Sequence, residues 1–184
     1  MDQERTVVIV KPDGIRRGLA GEIISRFEKT GLKLVACKLL VVPPEMATKH
    51  YAYNEEWFLN IGNKILKFYE EHGKDVNEDL GTKDPMEIGK YALQKNVEYL
   101  TEGPVLAMIW QGPHAVEIVR KIIGSTYPQQ APPGTIRGDF GHYSASLANA
   151  TKTPAYNLVH ASGNVEEAEF EVKLWFKEKE INSW

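Results

Sequence analysis

Apolar residues in the sequence form several runs that predict strands. Such runs occupy residues 6–10, 32–42 and 105–110, the first of them β-branched throughout. Proline, glycine or charged residues follow them, as expected where a strand leaves a sheet. Leu158 and Val159 form a shorter run, which predicts a strand that delivers His160 at its exit. These four segments are the predicted strands.

Between the strands, apolar residues recur at the three- and four-residue spacing of amphipathic helices. The predicted helices lie at about residues 19–31, 43–51, 113–124 and 164–176. Gly31 and Gly124 stand at positions typical of helix C-termini. Asn164 and Glu167 form a capping-box pattern at the start of the last helix. The order of elements is thus strand and helix in alternation.

A charged, helix-forming segment interrupts this order. Apolar residues at helical spacing occur in residues 57–68 and again in residues 85–100, with a glycine stop after the first set and a proline start before the second. We place an inserted helical pair at about residues 60–95, within a single domain of residues 1–184. A segment of about 36 residues is too short for a core of its own. Its apolar stripe is therefore expected to pack on the parent domain or on a neighbouring subunit.

The pattern as a whole favours an α+β fold. Two β-α-β halves joined with an antiparallel return predict a ferredoxin-like antiparallel sheet with helices on its faces. A doubly wound parallel sheet is the alternative. Residues 125–156 contain no periodic segment and are rich in proline and glycine. Loops longer than about 12–15 residues are usually functional or disordered, so a binding loop is predicted here.

Composition narrows the classes of function. The 184 residues carry 22 basic and 25 acidic side chains, for a net charge of −3, and no long basic tract suits nucleic acid or a membrane surface. Cys37 is the only cysteine, which excludes an intramolecular disulfide, and we expect it to be a small buried hydrophobic residue. The N-terminus lacks a signal peptide pattern, and no stretch approaches the ~20 apolar residues of a membrane span. A cytoplasmic protein is the simplest expectation.

Polar residues collect at the predicted strand exits and in the long loop. They are Lys11, Arg120, Thr126, Arg137, Asn157 and His160. His160 precedes a helix N-terminus, whose free N–H groups favour anions such as phosphate. Three cations beside a neutral imidazole suit phosphoryl transfer through a side-chain nucleophile. The alternative is a core histidine whose hydrogen bonds are satisfied by Ser162 or Glu171.

Several motifs resemble those of nucleoside diphosphate kinase. They are Glu4-Arg5-Thr6 with Lys11-Pro12-Asp13-Gly14, the segment Gly18-Leu19-Ala20-Gly21-Glu22-Ile23-Ile24, the segment Pro133-Gly134-Thr135-Ile136-Arg137-Gly138-Asp139-Phe140, and Asn157-Leu158-Val159-His160-Ala161-Ser162. The resemblance covers about residues 4–58 and 97–176. It implies a ferredoxin-like fold, a homo-oligomer (hexamer or tetramer), and exchange of the terminal phosphate between nucleoside triphosphates and diphosphates. It also implies Mg²⁺ held mainly through the nucleotide phosphates, with no metal ligand assigned to the protein.

The resemblance also implies roles for individual residues. His160 becomes phosphorylated in the first of two displacements, and Glu171 and Ser162 orient or assist it. The implied substrate contacts are Lys11 and Asn157 to the ribose hydroxyls, Arg120, Thr126 and Arg137 to phosphates, Tyr51 near the transferred group, and Phe58 stacked on the base.

The sequence departs from the family pattern at a few places. Gly163 stands where the family usually has an aspartate, and insertions occur near residues 60–95 and 141–155. These departures leave open a binding module that retains the nucleotide cleft without turnover. A nucleic-acid-binding α+β domain is a second rival, although the acidic balance and the lack of paired sheet aromatics argue against it.

Overall fold

A computed structural model describes residues 3–51 and 55–183 of the chain. Within these ranges, one sheet contains the strands β1 (Glu4–Val10), β2 (Lys33–Val41), β3 (Pro104–Gly112) and β4 (Val159–Ala161), in the order β2-β3-β1-β4. Each neighbouring pair is antiparallel. The ferredoxin-like α+β prediction is therefore confirmed, and the parallel alternative is wrong.

The helices of the described residues cover both faces of this sheet and fill its connections. They are α1 (Pro12–Arg16), α2 (Ala20–Glu28), α3 (Pro44–Tyr51), α4 (Glu55–Glu71), α5 (Val76–Leu80), α6 (Pro85–Thr101), α7 (Ala115–Ile123), α8 (Ile136–Phe140), α9 (Ala145–Thr151) and α10 (Val165–Trp175), with short 3₁₀ turns at Pro128–Gln130 and Glu178–Glu180. Across the described ranges, every helix falls short of the length and apolar character needed to cross a bilayer.

Strand β1 is buried on both faces, which explains its continuous apolar run. Successive side chains of a strand point to opposite faces. Val7 and Ile9 accordingly pack in one core that also holds Trp175 of α10. Val8 packs in a second core with Phe27 of α2. Because β1 is sandwiched in this way, the residues that follow it enter the molecule between two packed layers.

The inserted helical pair is present as α4 and α6, with the unpredicted α5 between them. Glycines let the two long helices touch, since a Cβ on Gly62 would lie 1.9 Å from the carbonyl oxygen of Pro85. The apolar stripe of the insertion forms a third core, to which α9 contributes Ala145. The first insertion is therefore covered partly by the second, within the same chain.

The long loop contains more helix than the sequence predicts. Residues 125–156 include α8 and α9 as well as a 3₁₀ turn. Side-chain caps start both helices, because Thr135 accepts a hydrogen bond from the N–H of Gly138 and Ser144 accepts one from the N–H of Leu147. Helices of five and seven residues are too short to show an apolar period. The prediction of a segment without secondary structure is wrong for this reason.

Two burial predictions are also wrong. Cys37 is exposed rather than buried, because it lies on the edge strand β2 with its side chain on the uncovered side. Val165 is the first apolar residue of the helix predicted at about residues 164–176, and the apolar pattern of that helix predicts that it faces inward, yet it is 48 % exposed at the first turn of α10.

Candidate active site

A strained turn precedes His160. The backbone N–H of Val159 donates to the carbonyl oxygen of Asn157 at 2.8 Å, and the residue between them, Leu158, has φ +69°. A hydrogen bond across two residues with a positive central φ defines a γ-turn of the rare, strained kind. Such strain persists only when the surroundings hold it, and it is concentrated at functional sites.

Two side chains hold this turn in place. The N–H of Leu158 donates to Asp13 Oδ2 at 3.2 Å and to the Tyr99 hydroxyl at 3.1 Å. The Tyr99 hydroxyl also accepts from the N–H of Asn157 and donates to Asp13 Oδ1 at 2.6 Å. Neither residue was predicted to act at the site. Asp13 lies within a recognised motif, whereas Tyr99 looks like an ordinary core position of an amphipathic helix.

The turn presents the His160 ring to Glu171 of α10. Nε2 of His160 lies 2.8 Å from Glu171 Oε1, and the other carboxylate oxygen accepts from Ser162 Oγ at 2.6 Å. Ser162 is fixed in turn by the N–H of Val7. A carboxylate only accepts, so Nε2 carries the proton and Nδ1 keeps its lone pair. Nδ1 makes no hydrogen bond with any residue in the described ranges.

Burial and nearby cations keep this imidazole neutral. Desolvation lowers the pKa of His160 well below its usual value, and the positive charges of Lys11, Arg137 and Arg120 lower it further. Burial raises the pKa of Glu171, and the hydrogen bond from Ser162 opposes that rise. A neutral ring with a free Nδ1 lone pair can act as a nucleophile at neutral pH.

Lys11, Asn157 and Thr126 form a connected chain beside the histidine. Lys11 Nζ donates to Asn157 Oδ1 at 2.9 Å and lies 4.4 Å from the centre of the Tyr99 ring. Asn157 Nδ2 donates to the carbonyl oxygen of Thr126 at 3.0 Å. Burial, and then the charge of Arg137, lower the pKa of Lys11 to about 7. The sequence-predicted contacts on β1, β4 and the long loop therefore meet in one place.

Arg137 is buried, whereas a phosphate contact suggests a cation that faces solvent. Its guanidinium is buried and donates to four backbone carbonyls, those of Gly124, Ser125, Asn157 and Val159. Burial lowers its pKa to about 10, so it stays charged at neutral pH. Arg137 thus ties the loop after α7 to the turn before His160 and places a fixed positive charge near the ring.

The remaining predicted residues differ in how close they come to the histidine. Tyr51 is buried with its ring centre 6.5 Å from that of His160, and its hydroxyl has no hydrogen-bond partner in the described ranges. Arg120 is exposed on α7 and lines a surface cavity with Gly163. Phe58 packs its ring against Trp57, and it is not among the described residues that line the cavities beside His160 or Thr126.

The carboxylate of Glu167 lies beside Gly163. A Cβ on Gly163 would lie 2.4 Å from Glu167 Oε2, which instead accepts the N–H of Gly163 at 2.8 Å. The carboxylate of Glu167 thus occupies the place where a side chain at position 163 would begin. Glu167 therefore supplies a carboxylate at this point of the site while Asn164 caps α10.

His50 is a further residue of the site that sequence reasoning missed. Its ring meets that of His160 edge-on at 4.4 Å, and its Nδ1 accepts from Trp175 Nε1 at 3.3 Å. Burial lowers its pKa to about 3. Ligand atoms of His50, His160 and Glu171 lie within 4.8 Å of one another, close enough for a metal ion. The hydrogen bond from Trp175 uses the lone pair of His50 Nδ1, and Nε2 of His160 carries the proton that it donates to Glu171, so neither of these two nitrogens is free for such an ion.

Comparison with known proteins identifies relatives of high similarity. The family model described as nucleoside diphosphate kinase matches residues 4–61 and 85–181. A nucleoside diphosphate kinase from Pyrobaculum aerophilum is 49% identical over 181 residues, covering 98% of this chain and 99% of the relative. The unmatched residues 62–84 lie inside the insertion predicted at about 60–95.

Solved structures of nucleoside diphosphate kinases are also similar to this chain. An NDP kinase from Pyrobaculum aerophilum superposes with a TM-score of 0.94 at 47% identity, covering 99% of this chain and 100% of that one. The nucleoside-diphosphate kinase from Borrelia burgdorferi, a transition state mimic with bound vanadate and ADP, superposes with a TM-score of 0.79 at 35% identity, covering 99% of this chain and 92% of that one.

Proposed function

The chain belongs to the nucleoside diphosphate kinase family, and from this premise we propose that it moves the terminal phosphate between nucleotides by a ping-pong mechanism through phosphorylated His160. The observation that carries the proposal is the hydrogen bond between Nε2 of His160 and Glu171. It leaves Nδ1 free in a ring that burial, and then three nearby cations, keep neutral by lowering its pKa.

In the first displacement, the Nδ1 lone pair attacks the terminal phosphorus of the nucleoside triphosphate. A phosphorus–nitrogen bond forms while the bond to the bridging oxygen breaks, and the nucleoside diphosphate leaves with that electron pair. The ring then carries a positive charge, which the carboxylate of Glu171 stabilises through the Nε2 proton. In the second displacement, a terminal oxygen of another nucleoside diphosphate attacks the same phosphorus and restores the neutral ring.

Other residues of the site are proposed to hold the nucleotide. The proposed contacts are Lys11 and Asn157 with the ribose hydroxyls, Arg120, Thr126 and Arg137 with phosphates, and Tyr51 with the transferred group. The expected stacking of Phe58 on the base has no support from the described residues that line the two cavities, because Phe58 is not among them. The connected chain from Lys11 through Asn157 to Thr126 supports the first of the proposed contacts. For Arg137, the four carbonyl contacts support a role through its charge and its hold on the loop.

Mg²⁺ is proposed to reach the site on the nucleotide. The side chains of Lys11, Arg120 and Arg137 repel a free cation, so the phosphates are the better ligands for it. When bound, Mg²⁺ neutralises charge on the phosphate oxygens. The cations of the chain then act on the oxygens that remain.

A homo-oligomer, hexamer or tetramer, is also proposed, and the edge strand β2 supports it. Leu39 is 64 % exposed and Val41 is 66 % exposed, and both lie with Cys37 on alternate positions of that strand. An exposed apolar edge is a template for pairing with another chain. A second copy of this chain is the partner that the family suggests.

The histidine mechanism is tested with labelled ATP and Mg²⁺. The protein is expected to form an acid-labile, alkali-stable phosphoprotein that discharges onto GDP, and His160→Ala is expected to lose it with the fold intact. His142→Ala is the matched control, because His142 is exposed. Near-normal turnover in His160→Ala, or intersecting double-reciprocal lines in the native protein, would end the proposal. Nucleotide binding without any phosphoprotein would favour a binding module instead.

A further inference from the structure

A cavity of about 140 Å³ lies next to the proposed sugar and phosphate contacts. Thr126 and Asn157 line one part of it, and the rest is built largely by the two insertions. Ile61 and Ile65 of α4 and Asn149 of α9 are among the lining residues. A nucleotide whose sugar is held by Asn157 would direct its base into the adjoining space. The insertions therefore surround the place where the base is expected.

One polar group of this cavity has a fixed orientation. The Tyr69 hydroxyl donates its single proton to Asp79 Oδ2 at 2.6 Å, and Asn149 Nδ2 lies 2.6 Å from the same hydroxyl oxygen. Because the Tyr69 proton is already donated, its oxygen can only accept from Asn149. The amide nitrogen of Asn149 is thereby held towards Tyr69. Its carbonyl oxygen stays free of any partner in the described ranges and can only accept.

A second amide in the cavity is free. Asn96 of α6 is partly exposed and lines the cavity, and its side chain makes no hydrogen bond with a described residue. Since either end of this amide can turn towards a ligand, Asn96 can donate or accept. The cavity thus combines the apolar side chains of Ile61 and Ile65, suited to a flat ring, with one fixed acceptor and one adaptable amide.

We propose that the nucleotide base enters this cavity and that Asn149 Oδ1 accepts a hydrogen bond from its exocyclic amino group, which makes the insertions a base-specificity device. This inference rests on the proposed function, because the proposed contacts of Lys11 and Asn157 with the sugar determine where the base lies. Cytosine and adenine carry an amino group where uracil and hypoxanthine carry an oxo group. An oxo group facing Asn149 Oδ1 leaves two acceptors opposed, so the amino-bearing bases bind more tightly.

Binding calorimetry in the presence of Mg²⁺ tests this without any phosphoryl transfer. The native protein is expected to bind CDP more tightly than UDP, and ADP more tightly than IDP, by about two- to tenfold, the range of one net hydrogen bond. Asn149→Ala is expected to bring both ratios close to one. Tyr69→Phe keeps Asn149 but frees its amide to turn, and is expected to lower the ratios in the same direction.

Two controls isolate the contact with the base. Asn63→Ala removes an exposed amide of α4 and should leave both ratios at the native value. Ribose 5′-diphosphate lacks the base, so its affinity should be equal in the native protein and in Asn149→Ala.

Equal affinities for CDP and UDP and for ADP and IDP in the native protein would overturn the proposal. So would ratios that survive both Asn149→Ala and Tyr69→Phe, which would point to another group such as Phe58. A loss of ribose 5′-diphosphate binding in Asn149→Ala would overturn it too. Formation of the phosphoprotein at His160 is scored separately, so its absence would count against the histidine mechanism alone.

Discussion

Glu171 and His160 share a hydrogen bond of 2.8 Å between a carboxylate oxygen and Nε2. This contact is expected to stabilise the positive ring that forms on phosphorylation. Glu171→Ala should therefore lower the rate of phosphoprotein formation by about 10- to 100-fold, since hydrogen bonds to charged groups contribute ~1.5–3 kcal/mol. Glu171→Gln keeps an acceptor for Nε2 and should lower this rate by a smaller factor. Rapid-quench measurement with labelled ATP gives both rates.

The control for this pair is Glu169→Gln. Glu169 lies on the same helix with its side chain exposed, so its neutralisation should leave the rate unchanged. Equal rates in Glu171→Ala and the native protein would show that the carboxylate has no part in the transfer step.

The low pKa of Lys11 predicts that nucleotide binding depends on pH. Its pKa is about 7 in the free protein because of burial, and an anionic ligand favours the charged form. Raising the pH above 7 should therefore weaken ADP binding by up to about tenfold per pH unit until the pKa of the complex is reached. At pH 8, binding should take up protons, which calorimetry in buffers of different ionisation enthalpy measures. Lys11→Met should remove this uptake, and an uptake unchanged in that variant would assign it elsewhere.

The lowered pKa of Lys11 also makes the stability of the protein depend on pH. Whereas ADP binding weakens as the pH rises, stability should increase. The pKa of Lys11 falls from 10.5 to about 7 on folding, so between these values the unfolded chain binds a proton that the folded chain lacks. The free energy of unfolding contributed by this group therefore rises with pH from about 7 to 10.5. Urea unfolding of the native protein and of Lys11→Met across this range should show the difference.

The sequence predicted the sheet and the residues around His160 for identifiable reasons. Strand β1 and helix α7 show strong apolar patterns. Lys11 follows β1, while Asn157 precedes β4 and His160 lies within it, so the pairing of β1 with β4 brings these motif residues together. Tyr99 was missed because a buried tyrosine in an amphipathic helix gives no local sign that its hydroxyl reaches a turn 58 residues away.

Other features depend on contacts that periodicity does not reveal. The exposure of Cys37 follows from the position of β2 at the sheet edge. The engagement of Arg137 with four carbonyls depends on the path of the chain before His160. Both are tertiary effects, and neither residue type nor local spacing distinguishes them from the simpler expectation.

Gly14 provides a test of the strained turn. A Cβ at this position would lie 2.8 Å from Val10 Cγ1 and 3.0 Å from the carbonyl oxygen of Leu158. Gly14→Ala should therefore cost about 1–3 kcal/mol of unfolding free energy and should slow phosphoprotein formation by moving the turn. Gly21→Ala is the matched control, because a Cβ there meets no atom within 4 Å and alanine stabilises a helix by about 0.5–1 kcal/mol. If the two substitutions changed the rate of phosphoprotein formation equally, the geometry of the turn would have no part in the transfer step.

The exposed edge of β2 predicts the response of the assembly to charge. Leu39→Lys places a cation on an apolar strand edge, and lysine at edges blocks pairing. Light scattering after size exclusion should show a smaller particle than for the native protein. Lys33→Arg, at the other end of the strand, keeps its charge and should leave the mass unchanged. An unchanged mass in Leu39→Lys would place the subunit contact on another surface.

The first insertion can be shortened where its helices touch. Gly62 and Pro85 are in backbone contact, so a short glycine-serine turn can replace residues 63–84 and keep the remainder of α4 and α6 joined. The deletion removes Phe68, Tyr69 and Val76 from the third core. Tyr69 also holds Asn149, so the cavity beside Asn157 should lose its fixed side. Affinity for CDP should fall by about tenfold, which corresponds to ~1.4 kcal/mol.

The deletion distinguishes a wall of the nucleotide cleft from a subunit contact. Lys11, Arg137 and His160 lie outside the removed segment and make their hydrogen bonds with residues that remain, so some phosphoprotein should still form. If the insertion covers the cleft, the affinity for nucleotide falls while the number of subunits in the assembly stays the same. If it instead seals a subunit contact, the assembly becomes smaller with little change in affinity per site. Because α9 already covers part of its apolar stripe within the same chain, we expect the first outcome. Unchanged affinity together with unchanged assembly would show that the insertion does neither.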